Sequence, residues 1–110
     1  MIISANNQRY LTFMRDIYDV AQACATTTYI WGGFTLDIYN GRFLREHHDL
    51  DGFTQNLLDV LPESMALYER RGYTTEFRDD FDMLTIRRDG LHATFNRLEI
   101  AGETAMWRHK

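Results

Sequence analysis

The chain has 110 residues, 45% of them hydrophobic and 14% aromatic, which excludes a disordered protein and suffices for the core of one domain, 1–110. Its formal net charge of −4 argues against broad nucleic-acid binding, which needs a concentrated Lys/Arg surface. The one cysteine, Cys24, excludes a disulfide within the monomer and fits a reduced, cytoplasmic protein.

Met1-Ile2-Ile3-Ser4 has no charged leader followed by an apolar stretch, so no secretory signal is expected, and no apolar run is long enough to cross a membrane. Asn6 or Asn7 can cap a first helix by accepting a bond from a free backbone N–H. Tyr10, Phe13, Met14, Ile17, Tyr18, Ala21 and Cys24 recur at three-and-four spacing and form its apolar face, with Cys24 as a small core residue. The β-branched and aromatic run 26–31 predicts a strand. Gly32-Gly33 breaks it, and a short helix over 34–40 follows, ending at Gly41.

Residues 42–51 are polar and lead into a strand near 50–54. Leu50, Phe53, Leu57, Leu58 and Leu61 fit helical spacing as well, so the residues alone leave both assignments open. Pro62 suits the first turn of a further helix, which Gly72 ends. The last third reads as sheet. Thr74–Arg78 is a strand, and 81–88 and 91–98 flank Asp89-Gly90, a strong two-residue hairpin signal. In that register Leu84, Ile86, Ala93 and Phe95 share an apolar face, while Thr85, Arg87, His92, Thr94 and Asn96 share a polar face free to line a cleft. Helix, strand and helix followed by strands predict an α+β (mixed α/β) domain.

Two features carry chemistry. Gly32-Gly33 between a strand and a helix lets a phosphate approach the backbone, where the helix N-terminus supplies N–H donors. Asp49-Leu50-Asp51 puts two carboxylates on one face of a strand, a costly pairing unless a cation neutralises it. Oxygen ligands at that spacing suit Mg²⁺ carrying a triphosphate. An isolated Asp-x-Asp is more often a solvated acidic loop.

The intervening residues sharpen this. Trp31-Gly32-Gly33-Phe34-Thr35-Leu36-Asp37, then Gly41-Arg42, then Arg45-Glu46-His47-His48-Asp49-Leu50-Asp51, resembles the signature of the aminoglycoside and lincosamide nucleotidyltransferases of the DNA polymerase β-like superfamily. Order, identity and spacing agree from Trp31 to Asp51, and weaker similarity extends to Gly72-Tyr73 and Asp89-Gly90. The resemblance implies a nucleotidyltransferase fold, with a small mixed sheet and helices packed on one face. It implies that Gly32 and Gly33 cradle a nucleoside triphosphate and that Asp49 and Asp51 are the catalytic carboxylates holding Mg²⁺. Arg45 and His47 become phosphate or carboxylate partners. Arg42 has an equally good role in a salt bridge, for example with Asp37, and His48 falls at a variable surface position.

The chain departs from the family in two ways. A third carboxylate normally lies on the neighbouring strand, and counting from Asp89-Gly90 puts Thr94 at that position. Glu99 has the opposite strand parity, Asp82 shares the buried face, and Glu76 cannot be placed from sequence. The third carboxylate is the usual activator of the acceptor hydroxyl, and a general base contributes about 10²–10⁴-fold in rate. The second departure is the short stretch after the hairpin, which leaves little to build an acceptor pocket. A homodimer or a partner protein could complete one, as in the minimal nucleotidyltransferases that pair as antitoxins with HEPN-type ribonuclease toxins.

Two functions are therefore expected. One is transfer of a nucleoside monophosphate from a Mg-nucleoside triphosphate to a hydroxyl of an unknown acceptor. The other is binding by a catalytically degenerate, antitoxin-like relative. Tyr10, Phe13, Tyr18, Tyr29, Trp31 and Phe34 are expected in the core. Arg87 shares the cleft face with Thr94, where it reads as a solvated strand charge ahead of a phosphate contact, Arg70-Arg71 suit the macrodipole at a helix C-terminus, and no zinc spacing is present.

Overall fold

Ser4 caps the first helix, not Asn6 or Asn7. In the computed structural model, which describes residues 3–41, 47–101 and 104–107, the Ser4 hydroxyl accepts from the Asn7 N–H at 3.1 Å at the start of α1 (Ala5–Ala23). Both asparagines lie in the first turn, and their side chains are used elsewhere. Tyr10, Phe13, Ile17, Ala21 and Cys24 are buried as the spacing predicts, Val20 joins them, and Met14 is partly buried. Tyr18 lies on the flank and is 44% exposed.

The chain continues through β1 (Thr28–Trp31), α2 (Gly33–Asn40), β2 (Leu50–Gln55), α3 (Leu57–Arg70), β3 (Thr74–Arg78), β4 (Met83–Arg88), β5 (Leu91–Ala101) and β6 (Thr104–Trp107). β1 starts two residues later than expected because Ala25, at φ 55, turns the chain out of α1 and the Thr26 N–H still bonds the Ala21 carbonyl. Gly41 closes α2 at φ 74, its N–H donating to the Asp37 and Ile38 carbonyls. The helix expected to open at Pro62 opens at Leu57, after Asn56 at φ 54. Leu57 is fully buried, so the helix begins early enough to seat it. Pro62 lacks the N–H that would reach the Leu58 carbonyl, but both residues are exposed, where water can satisfy that carbonyl.

The sheet order is β1-β2-β5-β4-β3, with β6 pairing β5. β2 and β5 run parallel and the other pairs are antiparallel, giving the mixed sheet of an α+β fold. Asp89 (φ 50) and Gly90 (φ 83) form the two-residue turn between β4 and β5, with Arg88 opposite Leu91. One face carries Ile30, Leu50, Leu84, Ile86, Leu91, Ala93 and Phe95, all buried in one core with α1 and α3 residues. Across that face Ile30, Gly52, Phe95, Leu84 and Phe77 stand in one row. A Cβ on Gly52 would meet the Tyr29 carbonyl at 2.5 Å and the Phe95 ring at 3.2 Å, so β1 and Phe95 close over a position only glycine can fill. Gly52→Ala is expected to lower the unfolding free energy by about 1–3 kcal/mol, because backbone must shift to admit the methyl; a urea melt reads this.

A polar latch ties α1 to the sheet. Asp16 accepts from the Tyr73 hydroxyl at 2.7 Å and pairs with Arg71 at 2.9 Å, and the Arg88 guanidinium lies 4.2 Å over the Tyr73 ring. Burial pushes the Tyr73 and Tyr68 phenols above their ordinary value, and the Asp16 carboxylate adds to this for both. A phenol whose pKa is raised on folding contributes stability that is complete below its unfolded pKa, about 10, and is lost as pH climbs beyond it. The urea midpoint is therefore expected to hold between about pH 8 and 9.5 and fall above about 10, with a shallower fall in Tyr73→Phe.

Candidate functional site

The face of the sheet turned away from the α1–α3 core carries Asp51 and the Thr94 position. Trp31, Asp51, Thr94, Thr85 and Glu76 occupy one row across five strands. Asp51 is half-buried near the start of β2, flanked by β1 and β5. The Thr94 hydroxyl donates to Asp51 Oδ1 at 2.9 Å. The residue expected in place of a third carboxylate is thus the direct neighbour of Asp51. Asp49 immediately precedes β2 and is exposed, and strand alternation directs it to the side of Asp51. Extending the β2–β5 register by one residue brings His92, half-buried on the same face, beside Asp49.

The turn into α2 lies at the end of β1. Gly32 is its N-cap at φ 94, a conformation L side chains rarely adopt, and no side chain caps the helix. The N–H groups of a helix's first turn are a ready set of anion donors.

His47 faces inward. Its ring is buried with Nε2 2.6 Å from Asp37 Oδ2, joining α2 to the approach to β2. Its backbone is clamped from α1: the His47 N–H donates to Asn7 Oδ1 at 3.1 Å, and Asn6 Nδ2 donates to the His47 carbonyl at 2.7 Å. Three elements therefore converge two residues before Asp49. Asp37, suggested as an Arg42 partner, is engaged by His47. Arg42 and Arg45 lie outside the described residues. The sequence presents Asn6 and Asn7 only as caps, since nothing local signals a clamp on a residue 40 positions away.

The other acids stand apart from Asp51. Asp82 pairs with Arg97 at 3.1 Å, and Glu99 pairs with the same guanidinium at 3.2 Å. Glu76 shares the row of Asp51 but lies three strands away, roughly 14 Å, and pairs with Arg87. Among the described residues no cluster of three His, Cys, Asp or Glu side chains is poised for a metal. Two carboxylates on one face nonetheless fit Mg²⁺, which takes one or two carboxylates and completes its shell with water and substrate phosphates. No helix among the described residues is long and apolar enough to cross a membrane.

The sequence profile of the family described as Aminoglycoside-2''-adenylyltransferase matches residues 13–90. The fold is similar to the solution structure of the antibiotic-resistance factor ANT(2'')-Ia, with a TM-score of 0.73 and 20% identity over 92% of this chain and 53% of that one. It is similar to the lincomycin-bound lincosamide adenylyltransferase LnuA, with a TM-score of 0.64 and 14% identity over 96% of this chain and 68% of that one. A tRNA-processing enzyme matches with a TM-score of 0.61 and 20% identity over 88% of this chain and 24% of its own. These likenesses establish the nucleotidyltransferase fold, and the chain spans about half the length of ANT(2'')-Ia. No curated protein matches the chain by sequence.

Proposed function

The chain belongs to the Aminoglycoside-2''-adenylyltransferase family, and from that premise we propose that it binds a Mg-nucleoside triphosphate between the Gly32-Gly33 turn and the Asp49–Asp51 pair and transfers the nucleoside monophosphate to an acceptor hydroxyl. Support comes chiefly from the strand register, which sets Asp51 beside the Thr94 position on the open face, with Asp49 next to it and the uncapped start of α2 at the neighbouring strand end.

Asp49 and Asp51 would hold the Mg²⁺, which when bound neutralises phosphate charge and polarises the reacting phosphoryl group. The N–H groups at Gly32, Gly33 and the first turn of α2 would receive phosphate oxygens. The Thr94 hydroxyl holds one oxygen of Asp51. His47, locked on Asp37 and clamped by Asn6 and Asn7, positions the approach to Asp49. Arg45 is retained as a phosphate partner on the motif alone. In the transfer the acceptor oxygen bonds to the α-phosphorus, the bond to pyrophosphate breaks, and the hydroxyl proton leaves to a base.

Thr94 supports a second reading. A threonine hydroxyl cannot take up that proton as a carboxylate can, so water or an acceptor group must do so, and transfer is slow. A protein that binds the nucleotide and acts mainly through a partner, including an antitoxin-like one, has the same site. Incubation with each radiolabelled nucleoside triphosphate, Mg²⁺ and aminoglycoside, lincosamide or protein acceptors separates the two. Label on a small acceptor supports the transferase, whereas saturable nucleotide binding without transfer supports the binding protein.

A further inference from the structure

Tyr29 and Trp31, expected in the core, stand on the open face instead, together with Phe53. Trp31 is 53% exposed and Tyr29 44% exposed, and Phe53, on the neighbouring β2, is half-buried. Trp31 and Phe53 stack with ring centroids 6.1 Å apart and planes 18° from parallel. Phe53 pairs across the strands with Tyr29, and Trp31 pairs with Asp51. Phe53 thus backs the indole, which stays 53% exposed beside Gly32. β1 is an edge strand, so this shelf opens to solvent at the sheet's rim.

We propose that Trp31, supported by Phe53 and Tyr29, is the stacking shelf for the nucleobase of the bound nucleoside triphosphate, a proposal resting on the nucleotide reading above. The shelf adjoins both parts of the phosphate site: Trp31 precedes the Gly32 cap directly and lies one strand spacing, about 4.8 Å, from Asp51. The separation of base and α-phosphate in a nucleotide is of that order. Stacking needs only a flat π-face, and a pre-stacked indole offers one at little entropic cost. The exposed ring area is roughly 300 Å², which suits one base and is far below the ~800 Å² per partner of a stable protein interface. A charged acceptor such as an aminoglycoside has no planar group for it.

The test compares Mg²⁺-nucleoside triphosphates with Mg²⁺-tripolyphosphate by isothermal titration of the whole chain. The wild type is expected to bind the nucleotides roughly five- to hundred-fold tighter than tripolyphosphate. Trp31→Leu is expected to abolish that difference without changing tripolyphosphate affinity, and Trp31→Phe to retain most of it. Equal binding of both ligands by the wild type, or an unaltered nucleotide preference in Trp31→Leu, would overturn the shelf while leaving the phosphate site standing. Absence of binding by either ligand would remove the nucleotide reading, and the shelf with it. Urea melts of the variants confirm that each is folded.

Discussion

Asp51→Asn is expected to weaken Mg²⁺-dependent nucleotide binding about a hundredfold or more while leaving the fold intact. The amide keeps the shape of the carboxylate and can still accept from Thr94, so the β2–β5 contact at this row survives. What disappears is the negative charge opposite the ion, and a metal's charge stabilisation is worth several kcal/mol, with every 1.4 kcal/mol a factor of ten. Without metal the variant should be as stable as the wild type or slightly more so, because repulsion from Asp49 is relieved. Titration calorimetry with Mg²⁺ and nucleotide measures the first effect and a urea melt without metal the second. Undiminished binding by a folded Asp51→Asn protein would remove Asp51 from the site.

Thr94→Asp is expected to raise nucleotidyl transfer about 10²–10⁴-fold, the usual range for a positioned general base. The register makes the placement favourable, since position 94 faces Asp51 directly and Asp82, Glu99 and Glu76 are held elsewhere. The substitution brings a cost that supplies its own control. A new carboxylate replaces the hydroxyl donor of Asp51 and faces it as a like charge, so the variant should melt at lower urea than the wild type without Mg²⁺ and recover when Mg²⁺ is added. A faster variant whose stability responds to Mg²⁺ indicates a transferase slowed at one position. A variant with the Mg²⁺ response and no transfer indicates that the acceptor, rather than the base, is what the chain lacks.

How far these sites are legible in the sequence follows from how local their determinants are. Asp89-Gly90 specifies its turn through two positive φ values, which fixes the hairpin register and so places Thr94 correctly by counting. The strand at Leu50–Gln55 is less local. Its apolar spacing fits a helix too, and it is a strand because β1 and β5 pair with both its edges. Pro62 misleads in the other direction: its local preference for a helix start yields to the burial of Leu57 one turn earlier. The inward turn of His47 and its Asn6–Asn7 clamp depend on residues some 40 positions apart. The need for glycine at 52 depends on where Phe95 lands. Trp31 and Tyr29 look like core by residue type and are exposed because they occupy the outer face of an edge strand.

The placement of the ion at Asp49 and Asp51 is tested most directly by substituting paramagnetic Mn²⁺ for Mg²⁺, with a non-hydrolysable nucleoside triphosphate, and recording amide NMR signals. Broadening concentrated at residues 31–33, 49–51 and 92–94, and dependent on the nucleotide, is the expected result. Broadening centred elsewhere, for example on the Asp89-Gly90 turn, or none at saturating Mn²⁺ and nucleotide, would contradict the account.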